Sequence, residues 1–516
     1  MKRILLFSAF LLCTMLSLAA DFTVDGLSYN ITSTTDLKVE VTKSLTQPSG
    51  NLTIPASVEY GGKTYTVTGI GYQAFNFSFN LTSVIIPNTV TYIAEWAFIS
   101  CNKLTSVTIP NSVTTIGEGA FSGCKSLTSI TIPDAVTSIE GSTFDSCTNL
   151  TSVTIPESVT NIGEYAFNNC NSLTSVTIPQ FVTTIGNAAF SRTGLTSVTI
   201  PNTVTTIGDA AFSQCTDLAS VTLSNSLTAI SDGTFSYCSA LPSIIVPESV
   251  LSLGVRAFQY CSGLTSITIG NSVTIIKDYA FEGCTALASI TIPNAVTSIG
   301  TKAFNGCSSM LSATLGKSVT TIGSSAFYQC TSLASVTIPN SVTNIGSFAF
   351  AECSGLLNMY CYAEKIPLTE SLAFSNSNIA NATLHVPAES VSAYQVAYQW
   401  KDFKEIVALS GSEMLKCATP TITIVGGKLT FSCSTEGVSF NACYSYNSGN
   451  KTGNELILSG TTTAHVSVYA TKEGYEDSDV AETDVELYVG KKGDVNADGE
   501  VTVTDAVEVV NIILGK

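Results

Sequence analysis

The sequence predicts a mostly-β solenoid, and three observations carry that prediction. A phenylalanine returns 13 times, at Phe75, Phe98, Phe121, Phe144, Phe167, Phe190, Phe212, Phe235, Phe258, Phe281, Phe304, Phe327 and Phe350, at intervals of 23 residues with a single interval of 22. Between these markers the chain nearly repeats itself: residues 106–128 read SVTIPNSVTTIGEGAFSGCKSLT, and SITIPDAVTSI follows at once. A fixed period between about 20 and 50 residues marks units that bury their apolar faces only against their neighbours. Composition is the third observation, since 45% hydrophobic residues excludes disorder, while 516 positions are too many for one compact core.

The N-terminus, MKRILLFSAFLLCTMLSLAA, has Lys2 and Arg3, an apolar run, then small residues at Ala19 and Ala20, and residues 1–20 read as a removable secretory signal. Leu12 stands before Cys13, where a lipid-attachment site needs a small residue. Removing Lys2 and Arg3 takes the net charge from −17 to −19, which argues against nucleic acid or anionic lipid as a partner. No later stretch is apolar for about 20 residues, so no transmembrane segment is expected after the signal.

Within one repeat, Leu104, Val107 and Ile109 give the spacing L-x-x-L-x-L of a leucine-rich-repeat strand, with Val107 and Ile109 on one face at period two. Pro110 removes a ladder donor and ends the strand. Val113 and Ile116 form a second, shorter apolar pair. Ala120, Phe121, Cys124 and Leu127 recur at three-to-four spacing, as one turn of helix would, so the convex side should consist of short turns or 3-10 turns. Gly117 is not expected to need a positive φ, because Ala94, Glu140, Ser231 and Lys277 stand at the matching positions.

The outward strand positions form two columns. One runs Ser83, Ser106, Ser129, Ser152, Ser175, Ser197, Ser220, Ser243, Ser266, Ser289, Ser312 and Ser335, and the other runs Thr108, Thr131, Thr154, Thr177, Thr199, Thr222, Thr268, Thr291, Thr314 and Thr337. With strands about 4.8 Å apart they should cover a parallel sheet of roughly 60 Å with hydroxyls. Such rows can hydrogen-bond sugars or a protein backbone without strong charge, and they equally keep a β surface soluble. A third column, 11 of the 16 cysteines, sits three residues after the repeat Phe: Cys101, Cys124, Cys147, Cys170, Cys215, Cys238, Cys261, Cys284, Cys307, Cys330 and Cys353. Their number is odd, their side chains point the same way, and Thr193 interrupts them, so they read as free core thiols. The 23-residue spacing and the near absence of histidine exclude a metal reading.

The motif LTSVTIPNSVTTIGEGAFSGC resembles the BspA-type leucine-rich repeat of bacterial surface proteins, over residues 64–356. Residues 21–63 are similar to the β cap that opens such arrays, and residues 357–409 to their closing cap, in which Tyr394, Trp400, Phe403 and Ile406 can cover the last coil. The resemblance implies secretion or surface display and adhesion to a host or microbial protein or glycan, and it implies no reaction.

Residues 411–489 alternate apolar and polar at period two between turn signals, which predicts a small β-sandwich; Cys433 and Cys443 flank TEGV on two candidate strands, a placement that allows a bridge. Residues 491–516 contain GDVNADGEVTVTDAVEVVNIILGK. Calcium takes oxygen ligands at alternating loop positions, and Asp494, Asn496, Asp498 and Asp505 fall at places 1, 3, 5 and 12, with Gly499 at the turn, Glu500 offering its carbonyl and Thr502 its hydroxyl. Loop and following helix resemble one half of a type I dockerin, EF-hand-like, which implies calcium as cofactor and a cohesin-like module as partner.

No enzyme is expected. His385 and His465 fall in the cap and the β-domain, and acids such as Glu118, Asp134, Asp145 and Glu157 are scattered over turns without convergent pairs. Two functions remain: a secreted or surface adhesion protein whose Ser/Thr sheet binds a protein or glycan, or a structural spacer within an extracellular polysaccharide-degrading complex.

Overall fold

The computed structural model describes residues 20–409 throughout and, beyond them, the backbone of seven strands between Thr421 and Tyr488. The chain divides into two compact units, Met1–Leu409 and Ser410–Lys516.

Each coil of the first unit has three sides. A three-residue strand such as Ser106–Thr108 is ended by Pro110, whose carbonyl accepts the amide of Val113 and closes a turn. A two-residue strand, Thr115–Ile116, makes the second side and pairs in parallel with Tyr92–Ile93 of the coil before. The third side, residues 117–124, consists of the short turns expected, with bonds to the next coil woven between them. The amides of Ala120, Ser122 and Cys124 close turns on the carbonyls three residues back, while those of Gly119, Phe121 and Gly123 donate to Gly141, Thr143 and Asp145 of the next coil. Alternate amides thus hold the turn and the ladder.

Two left-handed residues per coil make this ribbon possible. Gly119 and Gly123 have φ of 58° and 71°, and the equivalent residues of other coils share the conformation, including Trp96, Tyr165, Arg192 and Arg256. As expected, Gly117 is not among them. Its role is close approach: a Cβ there would lie 2.5 Å from the amide nitrogen of Glu95.

The repeat phenylalanines form one continuous stack with centroids 5.0 Å apart at Phe75–Phe98 and 5.7 Å at Phe212–Phe235. The stack outruns the 13 copies, because Phe374 adds a further ring 6.0 Å from Phe350. Trp400 and Phe403 then meet Phe374 edge-on at 64° and 78°, ending the column with the positive ring edge against its π face. Beside the rings stand the thiols. Cys124 Sγ donates to the carbonyl of Phe98, one coil back, at 3.2 Å, and the same bond recurs down the column, as from Cys238 to Phe212 and from Cys330 to Phe304. All 12 described cysteines are free and buried. Thr193 takes the thiol's place with a hydroxyl that donates to Phe190 at 2.9 Å.

At the N-terminal end, Lys63–Ile70 lies between Lys38–Thr42 and Tyr92–Ile93, so the opening sheet runs into the two-residue ladder. Gly50–Thr53 likewise pairs with Leu81–Ile85 and starts the three-residue ladder. At the other end, Thr383–Val386 and Glu405–Ala408 extend that ladder beyond the last Phe repeat. The second unit contains antiparallel pairs, Thr421–Val425 with Lys428–Ser432, and Ser439–Tyr446 with Thr461–Thr471 and then Ala481–Tyr488.

Candidate functional site

The three-residue strands set the two hydroxyl columns outward. Ser106 and Thr108, Ser129 and Thr131, Ser152 and Thr154, Ser197 and Thr199, Ser220 and Thr222, Ser266 and Thr268, and Ser289 and Thr291 are all exposed and occupy the ends of their strands, with the apolar middle residue turned inward. Ser175 and Thr177 are exposed too, but no strand forms there. They adjoin the 22-residue copy, in which Thr193–Leu195 is one residue shorter than the usual Cys-x-x-Leu. The single sheet expected along the array is instead a series of ladders: two-stranded at Ser129–Thr131, Ser197–Thr199 and Ser243–Ile245, and six-stranded from Ser289–Thr291 to Glu405–Ala408.

Hydrogen bonding separates these columns from a neighbouring threonine column that looks equivalent in sequence. Thr105 Oγ1 donates to the carbonyl of Thr82 at 2.9 Å, Thr151 to Thr128 at 3.0 Å and Thr265 to Pro242 at 3.0 Å, so those hydroxyls stitch coil to coil. The hydroxyls of Ser106, Thr108, Ser129, Thr131, Ser197, Thr199, Ser220 and Thr222 make no such bond within the protein. Each retains one donor and two lone pairs for solvent or a partner.

The columns are not uniform. Ile85, before the first threonine, and Ile245, in mid-array between Thr222 and Thr268, put exposed apolar side chains at the threonine position. After Thr337 the register continues through Tyr360 and His385, whose rings stack at 4.4 Å, and His385 Nε2 lies 3.2 Å from Asn358 Oδ1. Burial lowers the pKa of His385. The sequence reading placed this pair in a cap and missed it as part of the face; the signal was there in TLHVP, which repeats the pattern of SVTIP.

The thiol column offers no chemistry. Burial pushes Cys147, Cys261 and Cys353 up to about 12 and Cys215 up to about 11, which keeps them protonated and poorly nucleophilic. Among the described residues no group of His, Cys, Asp or Glu is placed to hold a metal, and no helix is long and apolar enough to cross a membrane. The predicted calcium ligands Asp494, Asn496, Asp498, Glu500, Thr502 and Asp505, and Cys433, lie outside the described residues.

Comparison with known proteins follows the same geometry. The family described as BspA type leucine rich repeat region matches residues 68–195, 183–297 and 274–399. No curated protein matches the chain. Among solved structures, a leucine rich cell surface protein from Faecalibacterium prausnitzii is 32% identical, covering 66% of this chain and 93% of that one with a TM-score of 0.47. A leucine-rich repeat protein from Bacteroides ovatus is 26% identical over 75% of this chain and 99% of its own, with a TM-score of 0.46. The pneumococcal vaccine antigen PcpA is 19% identical over 75% and 98%, with a TM-score of 0.48. With its 23-residue coils, its phenylalanine column and a family match that spans most of the solenoid, the chain belongs to the BspA-type leucine-rich-repeat family.

Proposed function

We propose that the protein is a non-catalytic binding protein, secreted or displayed at the cell surface, that presents the serine and threonine columns of its strand face to a protein or glycan partner. The observation that carries this reading is the row of exposed hydroxyls from Ser106 to Thr222 left without internal partners, next to threonines such as Thr105 and Thr151 whose hydroxyls bond the coil behind them. Uncharged donors and acceptors at the spacing of a β ladder match the hydroxyls of a saccharide or the amides of an extended backbone. The Faecalibacterium relative is described as a cell surface protein, which favours the same setting. The calcium-binding segment at residues 491–516 belongs to the proposal as an attachment or assembly module. A capture screen against matrix proteins and a glycan panel tests the reading: residues 21–409 should retain every partner that the full chain captures. A partner retained only by the full chain would leave the solenoid as a spacer.

A further inference from the structure

On the turn ribbon, away from the strand face, one stretch departs from the rest of the array. Tyr237 and Tyr260 occupy the second left-handed position of successive coils, with rings 4.9 Å apart, and are 45% and 41% exposed. The next two coils have Gly283 and Gly306 at that position. A Cβ on Gly283 would lie 2.3 Å from Tyr260 Cδ1, so the ring lies down over the backbone of the following coil. Beyond it, a Cβ on Gly306 would meet nothing nearer than 3.9 Å. The result is an exposed aromatic ring opening onto a lane free of side chains.

The other left-handed position, four residues earlier in each coil, carries Arg256, Tyr279 and Lys302 on successive coils. Arg256 and Lys302 lie 4.9 Å and 5.7 Å from the ring of Tyr279, one from each neighbouring coil, and neither takes part in an ion pair. The nearby acids are already engaged: Asp278 accepts the amide of Thr301, Asp232 pairs with Lys277, and Glu282 is bonded by Gln259 and Asn305.

We propose that this lane is a carbohydrate platform for a neutral oligosaccharide. The apolar C–H face of a pyranose ring stacks on Tyr260, with Tyr237 behind it, and its hydroxyls accept from Arg256 and Lys302. A flat lane one ring deep gives a protein partner no pocket in which to desolvate an anchor residue. A polyanionic glycan is disfavoured by the net charge of −17 and by Asp232, Asp278 and Glu282 around the lane. The site is independent of the strand face.

The test is calorimetric titration of the full chain with neutral gluco-, manno- and galacto-oligosaccharides and with an oligogalacturonate. At least one neutral oligosaccharide should bind, and Tyr260→Ala should weaken it 10-fold or more. Gly306→Asn should do the same by filling the lane without unfolding the coil, since Asn169 and Asn376 already hold this position at φ of 62° and 56°. Lys125→Ala, at an exposed side chain several coils before the lane and outside the strand-face columns, should leave the affinity unchanged. No neutral binding, equal affinity for the uronate, full affinity in both lane variants at an unchanged melting temperature, or loss of binding in Lys125→Ala would each overturn the proposal.

Discussion

The thiol of Cys124 donates to the carbonyl of Phe98 at 3.2 Å, and that same oxygen accepts the amide of Cys101, so one buried acceptor is satisfied from two coils at once. This explains why a residue able to act as a small hydrophobe and a weak donor recurs at this position.

Stability should therefore fall at alkaline pH. Folding raises the thiols of Cys147, Cys261 and Cys353 from 9.0 to about 12, so the unfolded chain gives up these protons first. The stabilisation is complete below about pH 9 and is lost as pH rises towards 12. Denaturant midpoints measured from pH 7 to 11 should be flat and then decline, and Cys147→Ala with Cys261→Ala should shallow the decline. Thiol counting on denatured, unreduced protein should find at least the 12 described thiols, and fewer than six would contradict the free column.

The ring stack makes a positional prediction. Phe212 has rings on both sides, Phe190 and Phe235, whereas Phe75 has Phe98 alone, although both are buried. Phe212→Ala should cost about 3–5 kcal/mol through the cavity it leaves, and Phe75→Ala less. Equal losses in chemical denaturation would count against stacking as the stabilising feature.

The left-handed ribbon predicts opposite signs for two exchanges of alanine and glycine. Ala210 has φ of 54°, so Ala210→Gly should gain up to about 1 kcal/mol by relieving the clash of Cβ with its own backbone. Gly186 is not left-handed, but a Cβ there would stand 2.5 Å from the amide nitrogen of Glu164 in the adjacent coil. Gly186→Ala should cost about 1–3 kcal/mol by wedging the coils apart. Thermal melts of the two variants decide it.

Asp494, Asp498 and Asp505 crowd three carboxylates into one 12-residue loop, and without a cation they repel one another. Calorimetry on residues 411–516 should show calcium heat that Asp498→Ala sharply reduces. Silence in the parent fragment, or equal affinity in the variant, removes the calcium module from the proposed function.

Much of this fold is legible in the sequence because each coil must present the same apolar groups to the next. Phe121, Cys124 and Leu127 recur because the stack demands them, and Pro110 marks where a ladder ends. The ribbon is not legible, since its left-handed residues include Trp96, Tyr165 and Arg256, side chains that carry no signal for positive φ. Nor does sequence separate Thr105 from Thr108: one bonds the coil behind it and the other faces outward, a difference made by the turn of the backbone. Tyr360 and His385 escaped notice because the Phe period stretches from 23 to 24 residues at Phe374, which hides the continuing strand pattern.

The central claim is that the strand face does the binding, and it is tested most directly by blocking adjacent hydroxyls on one ladder. Thr199 and Thr222 are register partners, both exposed. The full chain carrying Thr199→Lys and Thr222→Lys should keep its melting temperature while its affinity for the partner captured in the screen falls 10-fold or more. Unchanged affinity in that double variant, and in a matching pair at the register partners Thr291 and Thr314, would contradict the account.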